Sequence, residues 1–595
     1  MQALDGQLVL SATDVVDFAV CGHRTALDRE VALGLRPKPV RDNPMGALLT
    51  RMGMGHEADE LAAITASGVT VVLINPPGPG VAGLIQAQAE TRAAMAAGAG
   101  VVYQATFYDA PWRGQADFLF RAEVPSALGS WSYEVGDAKL HRTPKQRDWL
   151  QLAFYSDHVG RLQGRIPEQA HIMLGGGARS SGPIGDHLVK VRQLQGELLA
   201  AITNLADPAP EPNSSCTFCR WKPDCEARWR AEGHLSLLGV DRRLRPKLEA
   251  AGAGSVSSLA ALGPGSEVEG VAPDQLRKFR SDARLYLQEQ RTGVGHLRLR
   301  YPRDGQGLAL LPAPADGDVF FDLEGYPFGP DGQIEYLWGL VVRSAGVDTY
   351  HRWWAHIPAE EAAAFAATVA FIESAVAGDP DRRVYHYNHY ETGVFRRLAA
   401  RVGGDLAGRA AGLVDTVFVD LLPIARTSVR TSSMSSGLKA LERFYRNGRE
   451  GNVTDATGSM IDYAAWLDTG DVDHLRAIED YNRADCESLA DLRAWLLGLA
   501  ADVAEARADS GEPDARILDA AAIPDLRERI AALAALPGAG PLLRRALVAL
   551  DFDCDFDVDE TARLIGVTAA EAGAALIRGK KELGIPLSAE ELRRP

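Results

Sequence analysis

Apolar and polar positions along the chain change rhythm several times, and the changes mark out its parts. Up to about residue 235, helical spacing is interrupted by stretches that predict strands, VTVVLI (Val69 to Ile74) and WSYEVGDAKL (Trp131 to Leu140). From about 236 to 305 the spacing is helical, with breaks at GVD and AGAGS and a repeated apolar interval in SLAALG. The Pro/Gly/Ala stretch LLPAPADGD leads into DVFFDL (Asp318 to Leu323), which predicts a strand, and strands and helices then alternate to about 505. Residues 506–595 look helical, and GVTAAEAGAALIRGKKELG (Gly566 to Gly584) fits either a helix-turn-helix or an Ala-rich helix pair. The expected architecture is an α/β multidomain chain divided as 1–235, 236–305, 306–505 and 506–595.

Composition narrows the class. A chain of 595 residues, 46% hydrophobic, exceeds what one core fills, since single cores stop growing near ~250–300 residues. No run approaches the ~18–20 apolar residues of a membrane span, and the opening MQALDGQLVLSATD has no signal-peptide character, so a cytoplasmic location is expected. The net charge of −16 argues against a protein that coats nucleic acid by bulk attraction, yet an acidic metal site would share that sign. Basic residues gather in RRLRPK (Arg242 to Lys247), RKFR (Arg277 to Arg280) and HLRLRYPR (His296 to Arg303), as a solvated face or as a phosphate track. No G-x-x-x-x-G-K-[ST] loop occurs, so nothing supports ATP hydrolysis.

Three of the six cysteines fall within ten residues, Cys216, Cys219 and Cys225, in the pattern C-x2-C-x5-C; Cys21 stands near the start. Four thiolates suit a [4Fe–4S] cluster or a structural zinc, and spacing leaves both open. Such a group would clasp the two ends of the first part together. Cys486 and Cys554 read as ordinary thiols.

Between the cysteines lie GMGHEADEL, GQADFLFR, YEVGDAKL and QLAFY. Asp137 and Lys139, two apart on an expected strand, share a face, and Asp117 is expected just after a turn. Paired carboxylates can hold a divalent ion, and a neighbouring lysine can orient water and offset phosphate charge. In the second α/β part Asp322 and Glu324 again share a strand face, where buried like charges would repel without a cation between them. Tyr481 and Asp485, four apart, share a helix face, and Glu391 begins an expected helix.

The four N-terminal motifs and the cysteine set resemble the RecB-like branch of PD-(D/E)XK nucleases across about 225 residues, particularly its iron–sulfur members. That resemblance implies His56, Asp117 and Asp137 as metal ligands, Lys139 as the catalytic lysine, Gln151 and Tyr155 as support, and Cys21, Cys216, Cys219 and Cys225 around a [4Fe–4S] cluster. The later set, D-x-E followed by Y-x-x-x-D, resembles DEDD exonucleases of the RNase H-like fold over about 190 residues. It implies Asp322, Glu324, Glu391 and Asp485 as ligands of two Mg2+ or Mn2+ ions and Tyr481 as the residue that positions water. Glu391 departs from the aspartate usual in the second motif, and Asp420 is the alternative. Residues 236–305 resemble helix-hairpin-helix units loosely; a spacer fits equally.

The whole resembles a family of RecB-like nucleases whose longer relatives continue into a helicase. The implied activity is a DNA nuclease acting on single strands or ends, an exodeoxyribonuclease of repair or defence, with RNA as a possible substrate and any unwinding supplied in trans. A nucleic-acid-binding scaffold that keeps both folds is the rival.

Overall fold

The computed structural model describes residues 1–40, 43–263, 266–299, 306–329, 332–446 and 456–508, with residue 574 beyond them. The candidate helix-turn-helix apart from residue 574, Cys554 and the end of the third basic run lie outside the described residues. Contacts divide the chain into two compact units, one covering Met1–Glu226 and the other beginning at Ala227. Among the described residues no helix is long and apolar enough to cross a membrane.

In the first unit the described strands β1 (Gln2–Leu4), β2 (Gln7–Ser11), β3 (Val71–Leu73), β4 (Val101–Asp109), β5 (Trp112–Ala122), β6 (Ser132–Lys139), β7 (Gln169–Leu174) and β8 (Arg179–Pro183) form one sheet. β4, β5 and β6 run as an antiparallel meander, and β7 joins β6 in parallel. β2 pairs β5 at Trp112 and Arg113, whereas β6 pairs it from Phe118 to Ala122. Around this sheet stand α1 (Ala12–Val20), α2 (Gly22–Ala32), α3 (Pro44–Ala66), α4 (Gly80–Ala96), α5 (Gln146–Gln163) and α6 (Gly185–Thr203). Helix α5 is the buried one: Leu152, Ala153, Phe154 and Val159 are fully enclosed, Asp148 closes a capping box at its start, and Gly164 ends it at a left-handed φ of 69°. This unit closes at Glu226, inside α7 (Lys222–Glu232), rather than at 235.

The second unit begins with the helical module α8 (Arg245–Ala250), α9 (Val256–Ala260) and α10 (Pro273–Thr292). Leu248, Val256, Leu259, Phe279 and Ala283 make its core. Its basic runs serve structure in part: Arg280 is buried and donates to the Leu262 carbonyl, and Lys247 Nζ donates to the Gly270 carbonyl at 2.9 Å. A short strand, β9 (Leu297–Leu299), follows.

Next come β10 (Asp318–Gly329), β11 (Gly332–Ser344), β12 (Val347–Trp354), α11 (Pro358–Ala377), β13 (Val384–His386), α12 (Tyr390–Val402), α13 (Gly404–Thr416), β14 (Phe418–Asp420), α14 (Leu421–Ser428), β15 (Val429–Thr431), α15 (Leu438–Glu442), α16 (Ala456–Thr469) and α17 (Val472–Ala508). The sheet order is β12-β11-β10-β13-β14, with β10, β13 and β14 parallel and β12 antiparallel to β11. The pleat of β10 sorts its side chains: Val319, Phe321 and Leu323 pack into the layer of α11, α12 and α13, and Phe320 packs on the other face against α14 and α17. Asp322 and Glu324 share the parity of Phe320 and so face α17.

The helical module and this domain belong to one unit because β9 pairs β15 antiparallel. Around that ribbon Arg430 meets Asp282 at 3.2 Å and Arg443 meets Glu289 at 2.9 Å.

Candidate active and metal sites

Helix α17 lies across β10, and one turn of it supplies Tyr481, Asn482 and Asp485. One carboxylate oxygen each from Asp322, Glu324 and Asp485 lies within 4.8 Å of the other two, the single such cluster of His, Cys, Asp or Glu among the described residues. Glu324 and Asp485 are buried. Burial and the charge of Asp485 push the Glu324 carboxyl up to about 8, although Ser459 and Lys439 pull it down. Three carboxylates gathered this way are unfavourable unless a cation lies between them, so the triad can hold a divalent metal ion.

The surroundings fix the triad. Asn482, fully buried, donates through Nδ2 to Asp322 Oδ2 at 2.8 Å and accepts from the Tyr350 hydroxyl at 2.8 Å. Gly339 on β11 makes room for that amide, because a Cβ there would overlap Asn482 Oδ1. Ser459 of α16 bonds both Glu324 and, at 2.6 Å, the Tyr336 hydroxyl. Tyr481 accepts from Lys439 Nζ at 2.6 Å, and burial with the neighbouring Asp485 holds its hydroxyl far above the ordinary tyrosine range.

Glu391 stands outside the triad. Its buried carboxylate lies 3.4 Å from His386 Nδ1, which itself donates to the Asn388 carbonyl at 2.6 Å. Burial raises the Glu391 carboxyl, with His386 opposing and Asp420 adding to the shift. Asp420 is engaged as the N-cap of α14, accepting from Leu422 N at 2.9 Å and from Asn388 N at 2.8 Å.

In the first unit Asp117 lies inside β5, not just after a turn; the turn is at residues 110–111, between β4 and β5. Phe118 pairs Gly136, so Asp117 and Asp137, one step further on each strand, face one another. Ala138 N donates to Asp117 Oδ2 at 2.9 Å, and Lys139 forms an ion pair with the buried Asp137. Burial, Asp137 and Glu57 together push Asp117 well above the ordinary carboxylate range. Burial works against the Lys139 ammonium, yet Asp137, Asp117 and Asp148 hold its pKa above the ordinary value. From α5, Gln151 accepts from Lys139 Nζ at 3.2 Å and donates to the Tyr155 hydroxyl at 3.1 Å. His56 on α3 instead meets the Met173 carbonyl at 3.1 Å, while its neighbour Glu57 accepts from Tyr103 and Gln104.

Cys21 joins α1 to α2, and its sulfur accepts from Arg24 N at 3.4 Å. Cys216 Sγ accepts from Asn213 N at 3.4 Å, and Cys219 takes a bond from the Trp221 backbone. Trp221 Nε1 and Arg220 both donate to Asp28 on α2, at 2.7 Å and 2.9 Å, which ties the later cysteines to the helix that starts at Cys21. Burial and the other three thiols push Cys225 up to about 12. Cys486 is buried, its sulfur against the Gly339 carbonyl at 3.4 Å.

Sheet order, helical layers and acidic triad together define an RNase H-like domain, a fold of metal-using nucleases. The family model of the RNase_H superfamily matches residues 319–497, less than half of the chain. A search of curated proteins finds no match for this chain.

A pH dependence follows from Glu324. Its carboxyl holds a proton in the folded chain up to about 8 but in the unfolded chain only to the ordinary 4.5. Stability is therefore full below the unfolded value and is lost as pH rises through the folded one, on the order of 1 kcal/mol per pH unit inside that window. Thermal melts in EDTA should show the midpoint falling from pH 5 to pH 8, roughly the range those two values bracket, and Mn2+ should restore it at the upper end.

Proposed function

We propose that the chain is a metal-dependent nuclease that hydrolyses phosphodiester bonds of DNA at single strands or ends. The observation that carries the reading is the convergence of Asp322, Glu324 and Asp485 within 4.8 Å, two of them buried. Mg2+ or Mn2+ bound there supplies an activated water and stabilises the departing oxygen. The protein's own part is to hold the three carboxylates in register through Asn482 and Ser459, and to present the Tyr481 hydroxyl beside Asp485. Glu391, whose carboxylate lies beside His386, is the residue that would hold a second ion.

The first unit is a second hydrolytic site in this reading, of the RecB-like PD-(D/E)XK kind. Support comes from the facing Asp117 and Asp137 and from the Lys139–Gln151–Tyr155 chain. Its ligand set is Asp117, Asp137 and His56, whose Nε2 donates to the Met173 carbonyl and so leaves Nδ1 as the ligand atom. The four cysteines hold a [4Fe–4S] cluster. Three of their sulfurs already accept backbone N–H bonds, as cluster thiolates do. Cys21→Ala is expected to lower iron content and thermal stability together, read by iron assay and melting; unchanged iron content would sink the cluster. The work is that of an exodeoxyribonuclease in repair or defence in the cytoplasm, with a helicase in trans.

End-labelled single- and double-stranded DNA and RNA, incubated with Mg2+ or Mn2+, test the function. Asp137→Ala and Asp322→Ala should each lose a distinct product pattern, and the double variant should be inert. A wild-type chain that binds these strands and cuts none would favour a scaffold that keeps nuclease folds for recognition, and RNA cut in preference to DNA would favour RNA processing.

A further inference from the structure

Three carboxylates in a chain of net charge −16 must admit a phosphodiester, itself an anion, and a positive side chain beside them would favour its approach. A cation stands beside them. Lys439 lies on α15, which follows the extended N-cap Gly437 and sets the side chain against α17. Its Nζ is 2.6 Å from the Tyr481 hydroxyl and 4.5 Å from the centre of the Tyr481 ring. Tyr481 is one helical turn before Asp485, and the charge of Lys439 is felt at Glu324. The ammonium is therefore at the edge of the triad, while the residue as a whole is exposed.

The hydrogen-bond directions add to this. An ammonium only donates, so the Tyr481 oxygen accepts from Lys439 and its own O–H is turned toward Asp485. Tyr481 meets the ammonium with its ring face and its oxygen, both neutral groups alongside which an ammonium can also donate to an anion.

We propose that Lys439 is the residue that receives a phosphate of the bound strand at this site, docked on Tyr481 until the strand arrives. The proposal rests on the nuclease reading for the identity of the strand, but it is a statement about binding. One ammonium per phosphate predicts one fewer counterion released when it is removed.

The test uses the full chain carrying Asp322→Ala, so that cutting is silenced, and a fluorescein-labelled single-stranded oligonucleotide titrated over a salt series. Adding Lys439→Gln should weaken binding about threefold near physiological salt and lower the slope of log affinity against log salt by about 0.7. Lys439→Arg should keep both. A slope unchanged by Lys439→Gln overturns the proposal, and so does a strand that fails to bind the parent at all. A second readout is Mn2+ affinity of the otherwise wild-type chain: removing a positive charge at the triad's edge should tighten it severalfold, and no change would place Lys439 away from the site. If the wild-type chain cuts nothing yet the salt slope drops as stated, the nuclease reading fails while the phosphate contact stands.

Discussion

Asp322→Ala is expected to slow hydrolysis by the C-terminal domain by at least about a thousandfold, with the fold intact. A bound metal ion contributes several kcal/mol of transition-state stabilisation in such sites, and each ~1.4 kcal/mol is a factor of ten in rate. The fold should survive because Asp322 takes no part in the apolar layers on either side of β10; those are held by Phe321 and Leu323 against one helical layer and by Phe320 against the other. Relief of the crowding among the carboxylates is offset by loss of the Asn482 Nδ2 bond, worth about 1 kcal/mol, so the melting temperature in EDTA should stay within roughly a few degrees of the wild-type value, and the rise in melting temperature that Mn2+ gives the wild-type chain should shrink. Measured on an Asp137→Ala background, the rate reports on this site alone. A variant that melts early in EDTA would instead assign Asp322 a structural role.

Gly339→Ala carries the second large effect, through a residue that never touches the metal. Gly339 lies within β11, where its Cα faces the fully buried Asn482, and an added methyl would occupy the position of the amide oxygen. Neither partner can yield easily, since β11 is locked to β12 on both sides of Gly339 and Asn482 is on a long packed helix. Overpacking of this kind costs about 1–3 kcal/mol, and the displaced amide would release both Asp322 and the Tyr350 hydroxyl. The expected result is a lower melting temperature together with a raised Mn2+ requirement for cutting, part of the lost rate returning at high Mn2+. A melting temperature equal to that of the wild-type chain would contradict the packing described around Asn482.

How far the sequence reveals these features depends on whether a local period or a long-range contact creates them. Asp322 and Glu324 were legible because two residues of a strand two apart must share a face, and Tyr481 and Asp485 because four residues make about one helical turn. Asn482 carries no such signature: one step from Tyr481, it points elsewhere on the helix, and only the packing of α17 on β10 brings it to Asp322. Lys439 and Ser459 reach the same place from a five-residue helix and from α16, elements whose positions depend on tertiary contacts. In the first unit Asp137 and Lys139 show the same strand parity, whereas Asp117 misleads, because Gly114 suggests a turn in what is the middle of β5. That glycine has another use: a Cβ on it would lie 2.9 Å from the Tyr155 ring. The join between the helical module and the RNase H-like domain was invisible, since it depends on β9 meeting β15 across more than a hundred residues of chain.

The central claim is that the triad of the RNase H-like domain is a hydrolytic metal site. Asp485→Asn tests it most directly, because it keeps the shape of the side chain and removes the charge of one ligand. On the Asp137→Ala background, cleavage of an end-labelled single strand in Mn2+ should fall by at least about a thousandfold while the melting temperature in EDTA holds or rises; cleavage that continues at the parent rate would contradict the account.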